Sequence, residues 1–569
     1  MKKKIVENFV NVRQIINNSA KKYADSNAFI IKNKKDGKET YYNITFKRFK
    51  QDIDAFGTSL LELGLKGKRV AIIGKNRYEW AVSYFAVLNG VGIVIPLDKG
   101  LPEQEIEELL QRSRADVIIF SKEYEETMDR LIEKKTTGVK IFINMDGLSG
   151  KKYIYYSKLI KQGKEQIKNG NLKYLMEQID NDGMSVILFT SGTTSISKAV
   201  MLSHRNIASN VYALREKEDI YNRDVNMAFL PFHHTFGSTG LLFFLSEGAC
   251  TVFCDGLRHI QKNLKEYKVS VFFCVPLIIE AMHKKLMSGI EKKGKSKSFK
   301  IAMSLGKVLY FFGIDIRRKL FKDVINELGG NIRFIISGAA SINKNAAKSF
   351  NDMGILTVQG YGLTETAPTL AAENKCTIEY GSVGRPMCNV KLKIDNPNEK
   401  GIGEIIVKGP NIMLGYYENE EATNDVLKNG WFYTGDLGYI SKKGNLFIKG
   451  RKKSVIVLKN GKNVYPEELE ILVAKLPYVA ENIVFGIEKD GDFELNCKMV
   501  YNMDVVRDIF GDVSDNELRE SVWEDIKKIN KTLSNYKHIK NVILTNEPME
   551  KTTTGKVKRK SVELLTNLP

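Results

Sequence analysis

The sequence predicts an α/β protein with three parts: a large N-terminal domain of parallel and mixed sheets flanked by helices, a β-rich subdomain, and a small α+β C-terminal domain. Between Lys68 and Asn144 short apolar runs alternate with amphipathic stretches, the pattern of parallel strands joined by helices. Short alternating strands follow Ile402, and the pattern changes again after Gly450. Because 569 residues are too many for one hydrophobic core, we expect at least two domains.

Individual elements are predicted in order along the chain. RVAIIG, VGIVIPL, ADVIIF and VKIFIN are predicted strands, and YEWAVSYFAVLN and PEQEIEELLQRS are predicted helices, with no helix between the last two strands. MSVILFT, NMAFLP, SVFFCVP and IRFIIS are further buried strands that lead into loops rich in Gly, Ser, His or Pro. Such loops bind ligands in open α/β sheets. GEIIVKG and NLFIKG belong to the β-rich part, and a domain boundary is expected near residues 450–454.

The net charge of +20 raises the question of a polyanionic partner. Nucleic acid, an anionic membrane and a phosphate-rich cofactor all fit this charge, but lysine is spread along the whole chain, which favours a solvated basic surface. The sequence has no RNP-type aromatic motif, zinc finger or basic-region heptad, so we do not expect a nucleic-acid partner.

Cysteine usage and hydropathy indicate a cytoplasmic protein. The six cysteines form no C-x-x-C pair and four lie in apolar surroundings, as reduced core thiols do, so no zinc site is expected. Polar residues interrupt the basic N-terminus, and no segment gives about 18 uninterrupted apolar residues. We therefore expect a soluble, intracellular chain.

One phosphate-binding motif is rejected because of its context. Residues 289–296, GIEKKGKS, match the letters of the P-loop pattern G-x-x-x-x-G-K-S/T. A P-loop needs a buried strand before it and a helix after it. Here the amphipathic LIIEAMHKKLM precedes the motif, and residues 284–300 hold seven lysines against one glutamate. We interpret this segment as an exposed loop.

A second candidate phosphate loop lies in ILFTSGTTSISKAVMLSH, residues 187–204. SVILFT predicts a buried strand, and the residues after it offer hydroxyl groups and flexible backbone N–H donors to phosphate oxygens. Lys198 adds a positive charge. Considered alone, the stretch could equally be an ordinary turn rich in Ser and Thr. The loop residues are Thr190, Ser191, Gly192, Thr193, Thr194 and Ser195.

Eight ordered stretches together resemble the acyl-adenylate-forming superfamily of AMP-binding enzymes, which contains acyl-CoA synthetases, peptide-synthetase adenylation domains and luciferases. The resemblance begins at Asn76 with the stretch NRYEW and ends at Lys560, so it covers nearly the full chain. The stretches are FTSGTTSISKAVMLSHRN, LPFHHTFG, QGYGLTETAP, GSVGRPM, GEIIVKGPNIMLGYY, GWFYTGDLG, IKGRKKSVIVLKNGKNVYPEELE and EKTTTGKVKRK. Eight motifs in the family order are a specific signal.

The resemblance implies a two-step ligation that uses ATP, Mg²⁺ and CoA. A carboxylate attacks the α-phosphate of ATP to give an acyl-adenylate and pyrophosphate, and a thiol then displaces AMP. Positioning and charge stabilisation would drive the first step. Lys556 resembles the lysine that lies between the attacking carboxylate and the α-phosphate, where a cation offsets the repulsion between two anions.

The remaining site residues are also assigned by resemblance. Thr364 would contact the α-phosphate, and Glu365 would bind Mg²⁺. Adenine would stack on Tyr361 beside Gly338 and Ala339, Asp436 and Arg451 would bind the ribose, and Gly461 would line a pantetheine tunnel. The other phosphates would contact the loop residues Thr190, Ser191, Gly192, Thr193, Thr194 and Lys198. His234 would lie near the acyl carboxylate, whereas His233 could simply pack. Taken singly, Glu365 and Asp436 could be loop-capping carboxylates, but the ordered set favours the catalytic interpretation.

The phosphate loop departs from the family pattern T-S-G-T-T-G-x-P-K-G. Ser195, Ser197 and Ala199 stand where Gly, Pro and Gly are expected. A side chain at Ser195 costs about 1 kcal/mol or more if that residue must take a positive φ. Since the hydroxyls and Lys198 are retained, we expect a working loop with altered ATP affinity or closure rate. The alternative is a dead nucleotide site in a non-catalytic acyl or nucleotide sensor.

The family pattern also implies a division into residues 1–450, a hinge at 451–454 with Lys453 as the pivot, and a mobile C-terminal domain of residues 455–569. NRYEW, LPFHHTFG, VPLIIE and NVYPEELE most resemble long-chain fatty acid:CoA ligases. The apolar residues of PFHHTFGSTGLLFF and VFFCVPLIIE suit an alkyl tunnel or an ordinary core equally well.

The expected partners are therefore a fatty acid, ATP and CoA, with an acyl-carrier protein as the alternative acceptor. The basic surface fits both the CoA phosphates and an acidic carrier protein, so charge does not separate the two. Residues 284–320 are basic and then apolar, which suits contact with an anionic membrane. Such contact would place the protein at the inner membrane surface.

Overall fold

The computed structural model describes residues 6–35, 37–147, 152–190, 197–459, 462–489, 492–550, 557 and 559. Within these ranges no helix is both long and apolar enough to cross a membrane. The described chain falls into four consecutive segments.

The first segment alternates strands with helices, as the apolar pattern predicts. Its strands are β1 (Asn27–Lys35), β2 (Lys38–Thr45), β3 (Lys68–Ile73), β4 (Gly92–Leu97), β5 (Val117–Phe120), β6 (Ile141–Asn144) and β7 (Ile154–Tyr155). Its helices are α1 (Val12–Lys22), α2 (Phe46–Glu62), α3 (Tyr78–Ala86), α4 (Glu103–Arg112), α5 (Glu125–Lys134), α6 (Tyr156–Lys168) and α7 (Lys173–Met176). The prediction of no helix between β5 and β6 is wrong: these strands pair in parallel, and α5 makes the crossover that parallel pairing requires.

The second segment carries the loops of the site. Its strands are β8 (Met184–Thr190), β9 (Lys198–Ser203), β10 (Val225–Ala228), β11 (Cys250–Phe253), β12 (Val271–Cys274), β13 (Phe334–Ser337), β14 (Leu356–Gly362) and β15 (Thr369–Ala372). Its helices are α8 (His204–Lys217), α9 (Thr235–Ser246), α10 (Ile260–Glu266), α11 (Pro276–Lys292), α12 (Ser296–Phe311), α13 (Arg317–Leu320), α14 (Lys322–Glu327) and α15 (Lys344–Asp352). The rejected motif GIEKKGKS has no strand before it, as expected, but the interpretation of this segment as an exposed loop is wrong. Residues 289–292 end α11, Ser296 begins α12, and only a short turn separates the two helices.

The third segment is the β-rich subdomain that the sequence predicts. Its strands are β16 (Arg385–Pro386), β17 (Lys391–Asp395), β18 (Gly403–Lys408), β19 (Gly415–Tyr416), β20 (Leu427–Lys428), β21 (Trp431–Ile440) and β22 (Leu446–Arg451), and its helix is α16 (Glu420–Val426). Strands β17, β18, β21 and β20 form an antiparallel sheet in that order, and β22 also pairs with β21.

The fourth segment is a small α+β unit. Its strands are β23 (Ile456–Val457), β24 (Asn463–Val464), β25 (Val479–Lys489), β26 (Asp492–Tyr501) and β27 (Ile539–Thr545), and its helices are α17 (Pro466–Val473), α18 (Met503–Phe510) and α19 (Asp515–Asn530). Helix α19 begins at a capping box, in which Ser514 accepts a hydrogen bond from the Glu517 backbone and the Glu517 side chain accepts one in return. This unit has its own hydrophobic cluster, in which Leu469 of α17 and Val522 of α19 are buried.

Two large sheets form the core of the first three segments. One has the order β19-β9-β8-β4-β3-β5-β6-β7, and the other β16-β15-β14-β13-β12-β10-β11-β1-β2. Both have a parallel centre. Val70 of β3 and Val271 of β12 share one buried cluster with Trp80 of α3 and Phe243 of α9. Helices between the sheets therefore bury one face of each.

Candidate active site

The loops at the carboxyl ends of the two large sheets are tied together by one side chain. Asn76, after β3, donates from Nδ2 to the Leu230 carbonyl at 2.8 Å, and its Oδ1 accepts from the Phe232 N–H at 2.9 Å. Leu230 and Phe232 follow β10, which belongs to the other sheet. The amide therefore fixes the separation of two ligand-binding edges.

A buried carboxylate, Asp436, connects two of the expected nucleotide residues. Tyr361 donates its hydroxyl to Asp436 Oδ2 at 2.6 Å, and Arg451 Nε lies 2.7 Å from Asp436 Oδ1. Asp436 and Arg451 face each other across β21 and β22, which explains their contact. Burial raises the pKa of Tyr361 well above its usual value, and the charge of Asp436 adds to this rise. Tyr361 therefore remains a neutral donor.

A second cluster joins Glu365 and Lys198 through a tyrosine. Tyr416 donates its hydroxyl to Glu365 Oε1 at 2.9 Å, and Lys198 Nζ lies 4.4 Å from the centre of the Tyr416 ring. Strand β19, which carries Tyr416, pairs with β9, which begins at Lys198. Burial and the adjacent Glu365 raise the pKa of Tyr416. The ring thus lies between a carboxylate and a cation.

The two clusters belong to one site. Tyr361, which donates to Asp436, lies near the end of β14, and Glu365 lies in the turn that follows this strand. One short segment of chain therefore joins the expected ribose ligand to the expected Mg²⁺ ligand.

The turn that holds Glu365 is fixed by the backbone and by an asparagine. Thr364, Glu365 and Thr366 form a single 3₁₀ turn after β14. The Glu365 carbonyl accepts from the Met413 N–H at 2.9 Å, and the Thr366 carbonyl accepts from Asn411 Nδ2 at 2.8 Å. These bonds leave the carboxylate of Glu365 as the group that the turn presents.

Only the two ends of the phosphate loop lie in the described residues. Thr190 and Lys198 face each other across β8 and β9, and Thr190 Oγ1 donates to the Lys198 carbonyl at 3.3 Å. Ser191, Gly192, Thr193, Thr194 and Ser195 lie outside the described residues. Arg112 of α4 donates to Ser197 Oγ at 3.0 Å and to the Ser197 carbonyl at 2.5 Å. A side chain from α4 thus holds the returning end of the loop.

The SGAA stretch follows β13. Gly338 is buried, and a Cβ there would lie 2.8 Å from the Phe236 ring. Ala339 is exposed and has a φ of +71°. Ser337 Oγ is buried and has no hydrogen-bond partner among the described residues, so a bound polar group could satisfy it.

His233 and His234 lie beside an acidic residue that the sequence analysis did not identify. His233 Nε2 lies 3.2 Å from Asp98 Oδ2, and the two histidine rings are 4.2 Å apart. One ligand atom from each of Asp98, His233 and His234 falls within a 4.8 Å group that could hold a metal ion. His233 thus lies against a carboxylate as well as against the ring of His234.

Lys556 and Gly461 lie outside the described residues. The chain beside Lys556 is anchored: Val557 packs against a cluster containing Phe485, and Arg559 donates to Glu470 at 2.7 and 2.9 Å. Lys453 lies in the exposed turn Lys452–Ser454 that follows β22.

The apolar segment after His234 is largely core. Helix α9 is buried along its length, apart from a half-buried Phe236. Phe236, Gly240 and Phe244 of α9 line a cavity with Phe273 of β12, and the cavity has a volume of about 10 Å³. That is room for about one water molecule, so an alkyl chain could enter only if these side chains move.

The described residues fit ATP and Mg²⁺. Mg²⁺ prefers oxygen ligands, which the carboxylate of Glu365 supplies. A cation, Lys198, and a hydroxyl, Thr190, stand at the two ends of the phosphate loop, and Ser337 offers an unused hydroxyl. Together with Asp436, these groups have the chemistry that an anionic, ribose-containing ligand requires.

Comparison with known families gives this class its name. Residues 16–417 match the family model described as AMP-binding enzyme, and residues 453–565 match its C-terminal domain. The chain belongs to the AMP-binding enzyme family, which confirms the resemblance. It is thus an adenylate-forming ligase, and the family uses ATP, Mg²⁺ and CoA.

Curated relatives cover most of the chain. Long-chain-fatty-acid:CoA ligase 5 of Mus musculus is 29% identical over 581 residues, which are 92% of this chain and 83% of the relative. A chloroplastic long-chain-fatty-acid:acyl-carrier-protein ligase of Arabidopsis thaliana is 26% identical over 598 residues, 91% of this chain and 80% of the relative.

Solved structures confirm the predicted fold. An anthranilate CoA ligase in complex with anthranoyl-AMP matches with a TM-score of 0.77 at 19% identity, over 100% of this chain and 99% of that one. ATP-bound MatB from Rhodopseudomonas palustris matches with a TM-score of 0.74 at 22% identity, over 98% of this chain and 99% of that one.

Several residues in the site were missed by the sequence analysis. Tyr416 and Asn411 lie in GEIIVKGPNIMLGYY, one of the stretches that carry the family resemblance, where a polar or aromatic residue is a signal for a site residue. Asn76 is the first residue of NRYEW, which also belongs to the resemblance. Arg112 and Asp98 carried no signal, because their partners are distant in sequence.

Proposed function

We propose that the protein activates a long-chain fatty acid with MgATP and transfers the acyl group to CoA. In the first step an oxygen of the carboxylate attacks the α-phosphorus, the bond to the β-phosphate oxygen breaks, and pyrophosphate leaves. In the second step the CoA sulfur attacks the acyl carbon, the bond to the AMP oxygen breaks, and the thiol proton is released. The products are acyl-CoA, AMP and pyrophosphate.

In the first step the chain would hold ATP along its length. Tyr361 would stack on adenine beside Gly338 and Ala339, and Asp436 would accept from the ribose hydroxyls beside Arg451. Mg²⁺ bound through Glu365 would neutralise phosphate charge. Lys198 and the loop residues from Thr190 to Thr194 would hold the terminal phosphates, and Thr364 the α-phosphate.

Lys556 would lie between the carboxylate and the α-phosphate, with His234 near the acyl end. Arg559, three residues after Lys556, donates to Glu470 of α17, which supports the assignment of Lys556 to the small C-terminal domain. For the second step we propose that residues 455–569 rotate about a hinge at 451–454, with Lys453 as pivot, which withdraws Lys556 and brings Gly461 to a pantetheine tunnel.

One observation carries the proposal: β14 and the turn after it bring together Tyr361, which donates to Asp436, and Glu365, which accepts from Tyr416. A ribose ligand and a Mg²⁺ ligand positioned by one short segment suit one bound MgATP. Loop-capping carboxylates would not need this shared position.

Relatives support the substrate class and leave two acceptors. Long-chain-fatty-acid:CoA ligase 5 of Mus musculus supports CoA, and the acyl-carrier-protein ligase of Arabidopsis thaliana is the reason to keep a carrier protein as the second candidate. A non-catalytic sensor is less well supported, because the returning end of the altered loop is held by Arg112.

The test is pyrophosphate release from MgATP with octanoate or palmitate, with wild type and Lys556→Ala compared. The expected result is release that depends on the fatty acid and falls by about a hundredfold or more in the variant. The exposed Lys540→Ala is the matched control. No release with any acid would contradict the ligase proposal and favour the sensor.

The acceptor is tested by adding CoA or an acyl-carrier protein with palmitate present. CoA-dependent turnover with formation of palmitoyl-CoA supports the main proposal. Turnover that rises only with the carrier protein would replace it by the second candidate.

A further inference from the structure

Helix α12 presents a row of large apolar side chains to solvent. Ile301, Leu305, Val308 and Phe312 have exposed fractions of 68%, 46%, 53% and 72%. Phe312 directly follows the last residue of α12, and the spacing of four, three and four residues places all four side chains on one face. Phe311, which is 85% exposed, lies next to this row. We call these five residues the α12 apolar face.

The opposite face of α12 is packed, so the exposed side chains are not part of a frayed helix. Phe299 stacks edge-on against Phe321 with ring centres 5.3 Å apart. Ala302 and Met303 pack against the core cluster around β12 and β13. Gly306 is buried on the same side. The core therefore fixes which face of the helix points outward.

Lysines border the apolar face. Lys297, Lys300 and Lys307 project from one side of it, and all three are exposed. Lys297 and Lys300 have no ion-pair partner within the described part of the chain, whereas Lys307 lies 3.0 Å from Asp352. Residues 284–320 contain eleven lysines and arginines against two acidic residues. The surface is therefore apolar and cationic at once.

We propose that the α12 apolar face docks on the surface of an anionic lipid bilayer. A helix of 16 residues is about 24 Å long, and with lysines along one side it would lie in the interface rather than cross it. The phenyl rings of Phe311 and Phe312 enter the acyl boundary, while Lys297 and Lys300 reach the headgroup phosphates.

A bilayer fits this surface better than a second copy of the chain does. Two copies that meet through α12 would bring two sets of unpaired lysines together, which costs free energy. An anionic bilayer instead offers negatively charged headgroups to Lys300 and, directly below them, an apolar acyl region to Phe312.

The position of α12 relative to the site gives the docking a purpose. Helix α11, which precedes α12, begins at Pro276 directly after β12, and Phe273 of β12 lines the small apolar cavity. This part of the inference rests on the proposed function, since a long-chain fatty acid resides in the bilayer. The docking itself does not depend on catalysis.

The experiment measures flotation of the full-length protein with phosphatidylcholine vesicles, with and without phosphatidylglycerol. Wild type is expected to float only with the anionic vesicles. For the double variants Phe311→Ser/Phe312→Ser and Lys297→Glu/Lys300→Glu, we expect the affinity for anionic vesicles to fall about tenfold or more. Leu257→Ser and Lys173→Glu are the matched controls, since both are exposed elsewhere on the surface and should bind as wild type does.

Thermal unfolding and the oligomeric state of each variant are measured without lipid. Equal flotation of wild type and both double variants overturns the proposal, as does equal binding to neutral and anionic vesicles. If wild type is a dimer and Phe311→Ser/Phe312→Ser is a monomer of unchanged thermal stability, a second copy covers the face and the proposal is wrong. Flotation without any pyrophosphate release would support docking and contradict only the proposed reaction.

Discussion

Arg112 Nη1 lies 3.0 Å from Ser197 Oγ, and Arg112 Nη2 lies 2.5 Å from the Ser197 carbonyl. The same guanidinium lies 5.3 Å from the centre of the Phe189 ring on the other side of the phosphate loop. One arginine on α4 therefore contacts both stems of the loop. Where the family loop has a proline, this chain has a serine whose position is fixed by hydrogen bonds instead of by a ring.

Arg112→Gln should weaken ATP binding because the loop loses both hydrogen bonds and the contact with Phe189. Hydrogen bonds to a charged group contribute about 1.5 to 3 kcal/mol, so we expect the KM for MgATP to rise about tenfold or more. The KM for the fatty acid at saturating ATP should hardly change. Steady-state kinetics measure both, with Arg130→Gln on α5 as the control. Equal effects of the two substitutions would contradict a role for Arg112 in the loop.

Tyr416→Phe should raise the Mg²⁺ requirement. The substitution removes the hydroxyl that orients Glu365 but keeps the ring beside Lys198. We expect the free Mg²⁺ concentration at half-maximal rate to rise several-fold, about 1 kcal/mol, at saturating ATP. Pyrophosphate release measured against free Mg²⁺ checks this. Tyr417→Phe, next along the chain, is the control; an unchanged Mg²⁺ requirement in Tyr416→Phe would count against Glu365 as the metal ligand.

Tyr361→Phe should affect the nucleoside end of ATP instead. The ring remains for stacking, but Asp436 loses its 2.6 Å hydrogen bond from Tyr361 and retains the ion pair with Arg451. We expect the KM for ATP to rise about fivefold to tenfold, with the Mg²⁺ requirement unchanged. If Tyr361→Phe raised the Mg²⁺ requirement and Tyr416→Phe raised the KM for ATP, the Asp436 cluster would be the metal site and the Glu365 cluster the nucleoside site.

Gly240→Ala should shift the chain-length preference toward shorter acids. A Cβ at this position would lie 2.9 Å from the Phe273 ring, in the apolar cavity after His234. We expect the ratio of kcat/KM for palmitate to that for octanoate to fall about tenfold, because added volume in a packed space is costly. Gly289→Ala on α11, where a Cβ meets nothing within 4 Å, is the control. An unchanged ratio would place the alkyl chain elsewhere.

His204 should make the folded protein sensitive to acid. Its Nδ1 accepts from the Val12 N–H at 3.3 Å, and burial lowers the pKa of His204 from 6.5 to about 4. The folded state therefore disfavours the charged ring. Its contribution to stability is complete above pH 6.5 and is lost as the pH falls from 6.5 toward about 4.

The substitution His204→Gln removes this titration. Relative to the variant, wild type should lose about 3 kcal/mol of unfolding free energy across that pH window. Urea unfolding at a series of pH values measures the difference, and the exposed His259→Gln should follow wild type. Parallel pH profiles for wild type and His204→Gln would show that His204 does not titrate as its burial implies.

The sequence predicted the strands and the site residues for different reasons. Strands such as β5 are continuous apolar runs, so local composition identifies them. Helix α5 was missed between two such strands, although it has an amphipathic pattern of its own. Glu365 and Asp436 were predicted from their order among the motifs, and the structure places Asp436 against Tyr361 and Glu365 in the turn after the strand that carries Tyr361.

The remaining contacts depend on packing between segments distant in sequence. Arg112 contacts Ser197 because α4 lies beside the start of β9, and neither residue is unusual in its own segment. The segment after His234 was ambiguous between alkyl tunnel and core because both need the same apolar side chains, and most of it is core. Periodicity does not distinguish these cases.

Two consecutive ion pairs hold the end of strand β22. Arg451, its last residue, pairs with Asp436, and the next residue, Lys452, lies 2.7 Å from Glu404 of β18. Both ion pairs precede Lys453, so the proposed rotation begins after the residues that would bind the nucleoside. In the proposed rotation the residues that would bind AMP stay in place, and only the groups around the acyl carbon of the adenylate are exchanged.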